Sequence, residues 1–322
     1  MSGLVRISTG ARLHFGLLDV AEPFGGCGVM TDRPETIVEA RPAATFRCAT
    51  TRAGSTEHLR KAEAIAGRLM SGGSLPEVEV RIVQAAPSHN GLGSGTQLSL
   101  AIAEAILLAS HGSPVDRERL IAAADRGLRS AVGTHGYFAG GFIAEGLDGH
   151  ESAKLNRMDQ RLDMPSPWRA VVLLLKRDRT DSIDSPETVS GSDEQAKFDQ
   201  LAPAAQMREN LKRIMLDEIV PAIRGRRFEA FGDAVTRYNR SSGELFAAVQ
   251  GGPYNGAETS DLIAGLLKNG HVGVGQSSWG PGVFVWFSDP TSAWHFCDTW
   301  THTTRDAFLV SPKRSGRTIQ FD

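Results

Sequence analysis

Pro87-Ser-His-Asn-Gly-Leu-Gly-Ser-Gly-Thr96 is the stretch on which the reading of this chain turns. It follows an alternating run, Val78-Glu-Val-Arg-Ile-Val83, that reads as a strand, and precedes a run from Leu98 to Leu108 that reads as a helix. Gly91, Gly93 and Gly95 let the backbone turn tightly and come close to a ligand. The helix begins at once, so its free N–H groups and the positive end of its dipole face the loop. That geometry suits a phosphate or pyrophosphate. A glycine-rich turn that only joins strand to helix is the plainer alternative. The ordered succession of strand, loop, hydroxyls and helix favours a phosphate site. No lysine follows the glycines, so this is not a Walker A loop. Nor does an acidic residue close a second strand where a dinucleotide fingerprint would place it.

Working outward, Leu4–Ser8, Thr36–Ala40 and Ala44–Ala49 read as strands, and Glu57–Met70 as a helix stopped by Ser71-Gly-Gly73. In the helix after the loop, Leu98, Ile102, Ala105 and Ile106 share a face that reads as core. Ser113-Pro114 supplies a cap and first turn for a helix to about Arg129. The glycines from Gly133 to Gly146 read as a turn feeding a buried strand, Phe142–Ala144. A polar stretch with two prolines, Asp148 to Pro167, sets a boundary, giving domains of 1–165 and 166–322. The second half opens with the strand Arg169–Leu175 and the loop Thr180–Asp193. Helical segments follow at about 203–219, 227–249 and 257–268. Then come a turn from Gly270 to Gly282, the strand Val283–Phe287 and a helix at 291–304. Mixed strands and helices without a regular βαβ repeat argue for an α+β fold of two lobes.

Composition narrows the class. The 322 residues are 41% hydrophobic, enough for substantial cores, and the net charge of -2 gives no reason to expect nucleic-acid binding. Apolar runs such as Val171–Leu175 are far too short to span a bilayer, and the first twenty residues lack a signal-peptide pattern. Cys27, Cys48 and Cys297 form neither a metal-type pair nor a disulfide framework. A cytoplasmic globular enzyme is expected.

The form Pro-x3-Gly-Leu-Gly-Ser-Gly resembles the phosphate loop of the GHMP kinase superfamily. Four further pieces narrow the resemblance: Arg6-Ile-Ser-Thr-Gly-Ala-Arg-Leu-His-Phe-Gly-Leu-Leu-Asp19, Phe24-Gly-Gly-Cys-Gly-Val-Met30, Arg129-Ser-Ala-Val-Gly-Thr-His-Gly-Tyr-Phe-Ala-Gly-Gly-Phe-Ile143 and Gly273-Val-Gly-Gln-Ser-Ser-Trp-Gly-Pro281. Together they look like the β-ribofuranosylaminobenzene 5'-phosphate synthase family, a non-kinase branch of that superfamily. The resemblance implies a two-lobed GHMP-kinase-like fold, with a ribosomal S5 domain 2-like first lobe and a ferredoxin-like second lobe. It implies that 5-phosphoribosyl 1-pyrophosphate (PRPP) and 4-aminobenzoate combine with loss of carbon dioxide and pyrophosphate, on the way to tetrahydromethanopterin. It also implies a Mg²⁺ requirement and a homodimer. By the same resemblance, Gly91, Leu92, Gly93, Ser94, Gly95 and Thr96 line the phosphates. An ATP-dependent small-molecule kinase is the alternative. Kinases of the superfamily usually carry an aspartate in a Pro-Ser-Gly-x-Asp stretch, and the matching Thr134-His-Gly-Tyr-Phe138 has no carboxylate. A ligand-binding regulator without turnover is a third possibility.

The leaving pyrophosphate needs hydrogen-bond donors and Mg²⁺, and an arginine fork suits the aryl carboxylate. Arg12 and His14 alternate on a strand and so share a face. With His135 among its glycines they are the catalytic candidates. Asp19, Gln276, Ser277 and Ser278 are the candidates for substrate binding. His89 reads as shaping the loop, and Lys176-Arg177 is a candidate for the ribose 5-phosphate. Asp125 and Glu104 are weaker candidates for Mg²⁺, whose ligands the sequence does not place.

Overall fold

The computed structural model describes residues 3–51, 56–69, 75–111, 115–127, 129–152, 155–176, 196 and 198–322. Two antiparallel-rich sheets carry the architecture. The first joins β1 (Val5–Leu17), β2 (Gly26–Pro42), β4 (Val78–Gln84) and β3 (Arg47–Thr50), with β5 (Phe142–Ser152) on β2 and β6 (Leu155–Leu162) on β5. β3 runs parallel to β4, and the other pairings are antiparallel. Helices α1 (Thr56–Leu69), α2 (Ser94–His111) and α3 (Arg117–Ala124) build one core with this sheet. Val38, Val80 and Ile82 meet Ile65, Leu98 and Ile102 there. A fourth helix, α4 (Val132–Ala139), leads into β5.

The second sheet has the spatial order β10 (Arg305–Val310), β7 (Arg169–Leu175), β9 (Val283–Phe287), β8 (Gly275–Gln276). Between β7 and β8 come α5 (Ala205–Arg213), a π-helical turn (Ile214–Ile219), α6 (Val220–Arg224), α7 (Phe228–Glu244), α8 (Ala247–Gln250) and α9 (Ala257–Lys268). The helix α10 (Pro290–Thr299) links β9 to β10. A first strand flanked by the fourth and third, with the second at the edge, is the ferredoxin-like arrangement the resemblance implied. β7 shows why its sequence is continuously apolar. Ala170, Val172 and Leu174 face the core under α5 to α7, whereas Val171 and Leu173 face α9 and α10. Successive side chains point to opposite faces, so a sheet covered on both sides needs apolar residues at every position.

The two lobes share a core. Phe15 of β1 lies 5.4 Å from Phe284 and 6.3 Å from Trp286 of β9, and 6.2 Å from Phe142 of β5. The chain end returns to the first lobe, where β11 (Thr318–Phe321) pairs with Val5–Ser8. The last strand of a nominal 166–322 unit therefore belongs to the sheet of residues 5–162.

Several elements differ from the sequence reading. The glycines from Gly133 include the helix α4, because Gly136 makes room for Met30, whose Sδ would lie 2.4 Å from a Cβ there. The helix expected to reach Arg129 ends at Ala124, where Asp125 takes a left-handed φ of 51° and caps it. The final helix stops at Thr299, and β6, β10 and β11 had no counterpart in the sequence reading. The helix stop at 71–73, the cap at Ser113-Pro114, the loop at 180–193 and Arg177 lie outside the described residues. Among the described residues no helix is long and apolar enough to cross a membrane.

Candidate active site

The glycine loop closes on α2 at Ser94. Its three glycines serve three different purposes. Gly91 has φ 74°, and an added Cβ would lie 1.8 Å from the Ser277 carbonyl oxygen, so this residue admits the second glycine-rich turn. Gly93 has φ 69° and lies against Arg12, whose Cγ would be 2.6 Å from a Cβ. Gly95 opens the first turn of α2. There the nearest atoms to a Cβ would be the Arg126 guanidinium and Lys61 Nζ, each 3.9 Å away. Two cations thus flank the positive end of a helix, an arrangement suited to an anion. Burial and the neighbouring Arg126 lower the Lys61 pKa, against a partial offset from Glu57 at 3.6 Å.

β1 delivers Arg12 and His14 to the same place. Arg12 donates from Nη1 to the Gly91 carbonyl at 2.6 Å and from its backbone N–H to the Leu92 carbonyl at 2.9 Å. His14 is buried, and its Nε2 is hydrogen-bonded to the Ser130 hydroxyl at 3.0 Å. Burial first, and Arg12 second, hold its pKa well below the ordinary imidazole value, so His14 is neutral. Behind Ser130, the Glu145 carboxyl accepts the Ala131 N–H at 3.0 Å through Oε1. Its Oε2 is buried and has no hydrogen-bond partner among the described residues. Burial pushes its pKa up to about 7, although Asn156, Ala131 and Ser130 all act to lower it.

These groups open on one cavity of about 710 Å³ between the lobes. Arg12, His14, Thr96, Arg126, Arg129 and Ser130 line its charged side. Phe24, Phe198, Phe246 and Trp279 line another part of the wall. Gln276 and Ser278 reach it from the second glycine turn. Ser278 has φ 56° and donates its N–H to the His14 carbonyl at 3.2 Å. Gln276 accepts the Asn255 N–H at 2.7 Å and donates to the Ser278 carbonyl at 2.8 Å.

Other sequence candidates lie apart from the cavity lining. His135 is buried, with Nε2–H donating to the Asn156 carbonyl at 2.7 Å and Nδ1 accepting from Arg117 at 2.8 Å. Both ring nitrogens are committed, which fixes a neutral tautomer. Ser277 donates to the Gly91 carbonyl at 2.7 Å and accepts the His14 N–H at 3.0 Å, joining loop to strand. Asp19 is buried and its carboxylate accepts the Val20 N–H at 2.7 Å. Leu92 is a core side chain, contributing only backbone to the loop. His89 adopts φ 61°, in keeping with a turn-shaping part. Glu104 is held by the Tyr137 hydroxyl at 2.6 Å and by Arg317 at 2.5 Å, and so is committed to structure. Lys176 donates to the His302 carbonyl at 2.6 Å, in a separate surface depression. Sequence reasoning missed Lys61, Arg126, Arg129 and the aromatic wall. Arg129, Phe24 and Trp279 stood inside quoted motifs without being singled out, and nothing in the spacing of Lys61, Arg126, Phe198 and Phe246 marked them.

Residues 57–141 match the GHMP kinases N terminal domain, and residues 219–301 the GHMP kinases C terminal family. A curated relative from Methanothermobacter thermautotrophicus, named beta-ribofuranosylphenol 5'-phosphate synthase, is 28% identical, with 86% of this chain and 87% of the relative covered. Its counterpart of the same name from Methanocaldococcus jannaschii is 24% identical over 87% and 88% of the two chains. Among solved structures, homoserine kinase from Cytophaga hutchinsonii superposes with a TM-score of 0.65 at 15% identity, covering 98% of this chain and 97% of the other. Mevalonate diphosphate decarboxylase from Staphylococcus aureus gives 0.61 at 13% identity, with 99% and 98% covered. At those identities the likeness concerns the fold.

Proposed function

The chain belongs to the GHMP kinase superfamily, and from that premise we propose that it is a PRPP-dependent aryl C-riboside synthase. It joins the ribose 5-phosphate of PRPP to a 4-substituted benzoate and releases carbon dioxide and pyrophosphate. The aryl acid is 4-aminobenzoate or 4-hydroxybenzoate, the latter in keeping with the phenol in the relatives' name. One structural observation carries the reading. The amino end of α2, Lys61 and three arginines converge where α4 offers no carboxylate that could serve as a kinase base.

In this reading the Gly95 N–H and the Thr96 hydroxyl, with Lys61 and Arg126, hold the pyrophosphate and favour its departure, the Thr96 N–H being already engaged by the Gly93 carbonyl at 3.1 Å. The ribose carbon becomes electron-poor as the C–O bond breaks, and the ring carbon bearing the carboxylate attacks it. The new C–C bond forms, the bond to the carboxylate carbon breaks, and its electrons restore the aromatic ring. No hydroxyl proton has to be removed, so a carboxylate base has no task. The work of the protein is positioning and charge complementarity. A neutral His14 suits a cationic reaction centre, since an imidazolium would oppose it. Arg12 is held by Gly91 and packed on Gly93, which fixes its distance from the loop.

Mg²⁺ fits this site as an ion carried on pyrophosphate. Among the described residues no three His, Cys, Asp or Glu side chains group as a metal cage. Asp125 and Glu22 line the cavity, and one or two carboxylates suffice for an ion that keeps phosphate and water ligands. Bound there, Mg²⁺ would offset charge on the departing pyrophosphate.

The test uses the purified chain with Mg²⁺, PRPP and carboxyl-labelled 4-aminobenzoate or 4-hydroxybenzoate. PRPP-dependent release of labelled carbon dioxide is the expected result. ATP consumption without such release would replace the synthase by a kinase.

A further inference from the structure

Four aromatic side chains from four separate segments meet on the cavity wall. Phe24 comes from the β1–β2 turn, Phe198 precedes α5, Phe246 lies between α7 and α8, and Trp279 belongs to the second glycine turn. Phe198 is central. It stands edge-to-face with Phe24 at 5.9 Å, Phe246 at 5.5 Å and Trp279 at 5.3 Å. Phe246 and Trp279 are tilted against each other at 4.9 Å. The indole N–H of Trp279 already donates to Gln250 Oε1 at 2.7 Å, so what the ring has left to offer a ligand is its π surface. A guanidinium marks the rim: the Arg129 Cζ lies 4.2 Å from the Phe198 ring centroid. Arg129 is followed by Ser130, the partner of His14.

A phosphorylated pentose presents hydroxyls and anionic oxygens and gains little from such a wall. A flat ring gains much, because ring–ring contacts add to the burial of apolar area. An anionic substituent on that ring would meet the fork-shaped guanidinium of Arg129 at the rim. We propose that Phe24, Phe198, Phe246 and Trp279 form the subsite for the aryl acid, with Arg129 pairing with its carboxylate. This rests on the synthase reading above. It divides the cavity into a sugar-phosphate end, under α2, and an aryl end, under Phe198. The ring carbon that bears the carboxylate then lies on the side of the cup facing Ser130 and His14.

Steady-state kinetics with PRPP and each aryl acid test the division. Phe246→Leu and Trp279→Phe are chosen because they keep an apolar side chain in place, and thermal unfolding checks that both remain folded. Each is expected to raise KM for the aryl acid by about tenfold, equivalent to losing roughly 1.4 kcal/mol of ring contact, while KM for PRPP stays within about twofold. Arg129→Gln is expected to weaken 4-aminobenzoate by a similar factor. It should leave unchanged the inhibition by aniline, which has no carboxylate. Wild-type turnover with an aryl KM unmoved by all three substitutions would overturn the subsite and leave the synthase intact. Variants that weaken an adenine nucleotide and not an aryl acid would assign the cup to a purine. If the wild-type chain released no carbon dioxide from either acid, the synthase reading and the subsite would fall together.

Discussion

Gly91 and Gly95 stand four residues apart in one loop, yet substitution should separate stability from activity. At Gly91 an alanine would need a left-handed φ and would press on the Ser277 carbonyl. Gly91→Ala is expected to cost on the order of 3 kcal/mol, read in chemical denaturation. At Gly95 the nearest described atoms outside its own helical turn lie 3.9 Å from the added Cβ, and they belong to cations. Gly95→Asp should leave the fold as stable or up to about 1 kcal/mol more stable, since a carboxylate favours a helix amino end. The same carboxylate would occupy the anion site, and activity should fall by at least about a hundredfold. Glu145 provides a pH test. Its folded pKa of about 7 exceeds the ordinary 4.5, so the folded state holds a proton that the unfolded chain gives up. The stability due to it is complete below pH 4.5 and is lost as pH rises to 7, amounting to about 3 kcal/mol. His14 acts in the opposite direction, because its lowered folded pKa makes acid favour the unfolded chain. Urea unfolding of Glu145→Gln against wild type from pH 4.5 to 8 isolates the Glu145 part. The difference should grow in favour of the glutamine variant as pH rises. The loop and the β1 pair were legible because their chemistry is written in residue order. Lys61 and Arg126 were not, because they reach Gly95 from α1 and from the segment after α3.

At the scale of elements, the second glycine turn is pinned to the first lobe by few but well-placed bonds. Ser277 bridges the Gly91 carbonyl and the His14 N–H, and Ser278 reaches the His14 carbonyl. Ser277→Ala leaves the buried His14 N–H without its partner, while the Gly91 carbonyl keeps Arg12, and should cost about 1 to 3 kcal/mol. Because those groups flank Arg12 and the loop, kcat should fall more than either KM changes, as a positioning loss does. The helices α1, α2 and α9 and the strands β4, β7 and β9 could be read from periodicity and burial. α4 could not. Its glycines Gly133 and Gly136 weaken a helix by propensity, and it is tertiary packing against Thr96 and Met30 that favours them. β11 escaped for another reason: a four-residue, mostly exposed strand at the chain end has no pattern until β1 is beside it.

For the whole molecule, the return of the chain end is what closes the first lobe. Arg317, just before β11, binds buried Glu104 of α2 from Nε at 2.9 Å, and its N–H donates to the Tyr137 carbonyl at 2.7 Å. Arg317→Met would leave that carboxylate buried and unpaired, at a cost of about 3 to 5 kcal/mol seen as a lowered Tm. Adding Glu104→Gln should recover a large part of it. The two-lobed α+β architecture was foreseen from the mixture of elements and from the family resemblance. The core shared through Phe15 and the crossing of β11 were not, because both depend on contacts between residues hundreds of positions apart. The central claim is that this kinase-like scaffold makes a carbon–carbon bond. The most direct measurement counts carbon dioxide and pyrophosphate in the same reaction with PRPP and an aryl acid, in the absence of ATP. One of each per molecule of ribosylated aryl product is the expected result. Pyrophosphate without carbon dioxide, or no turnover until ATP is supplied, would contradict it.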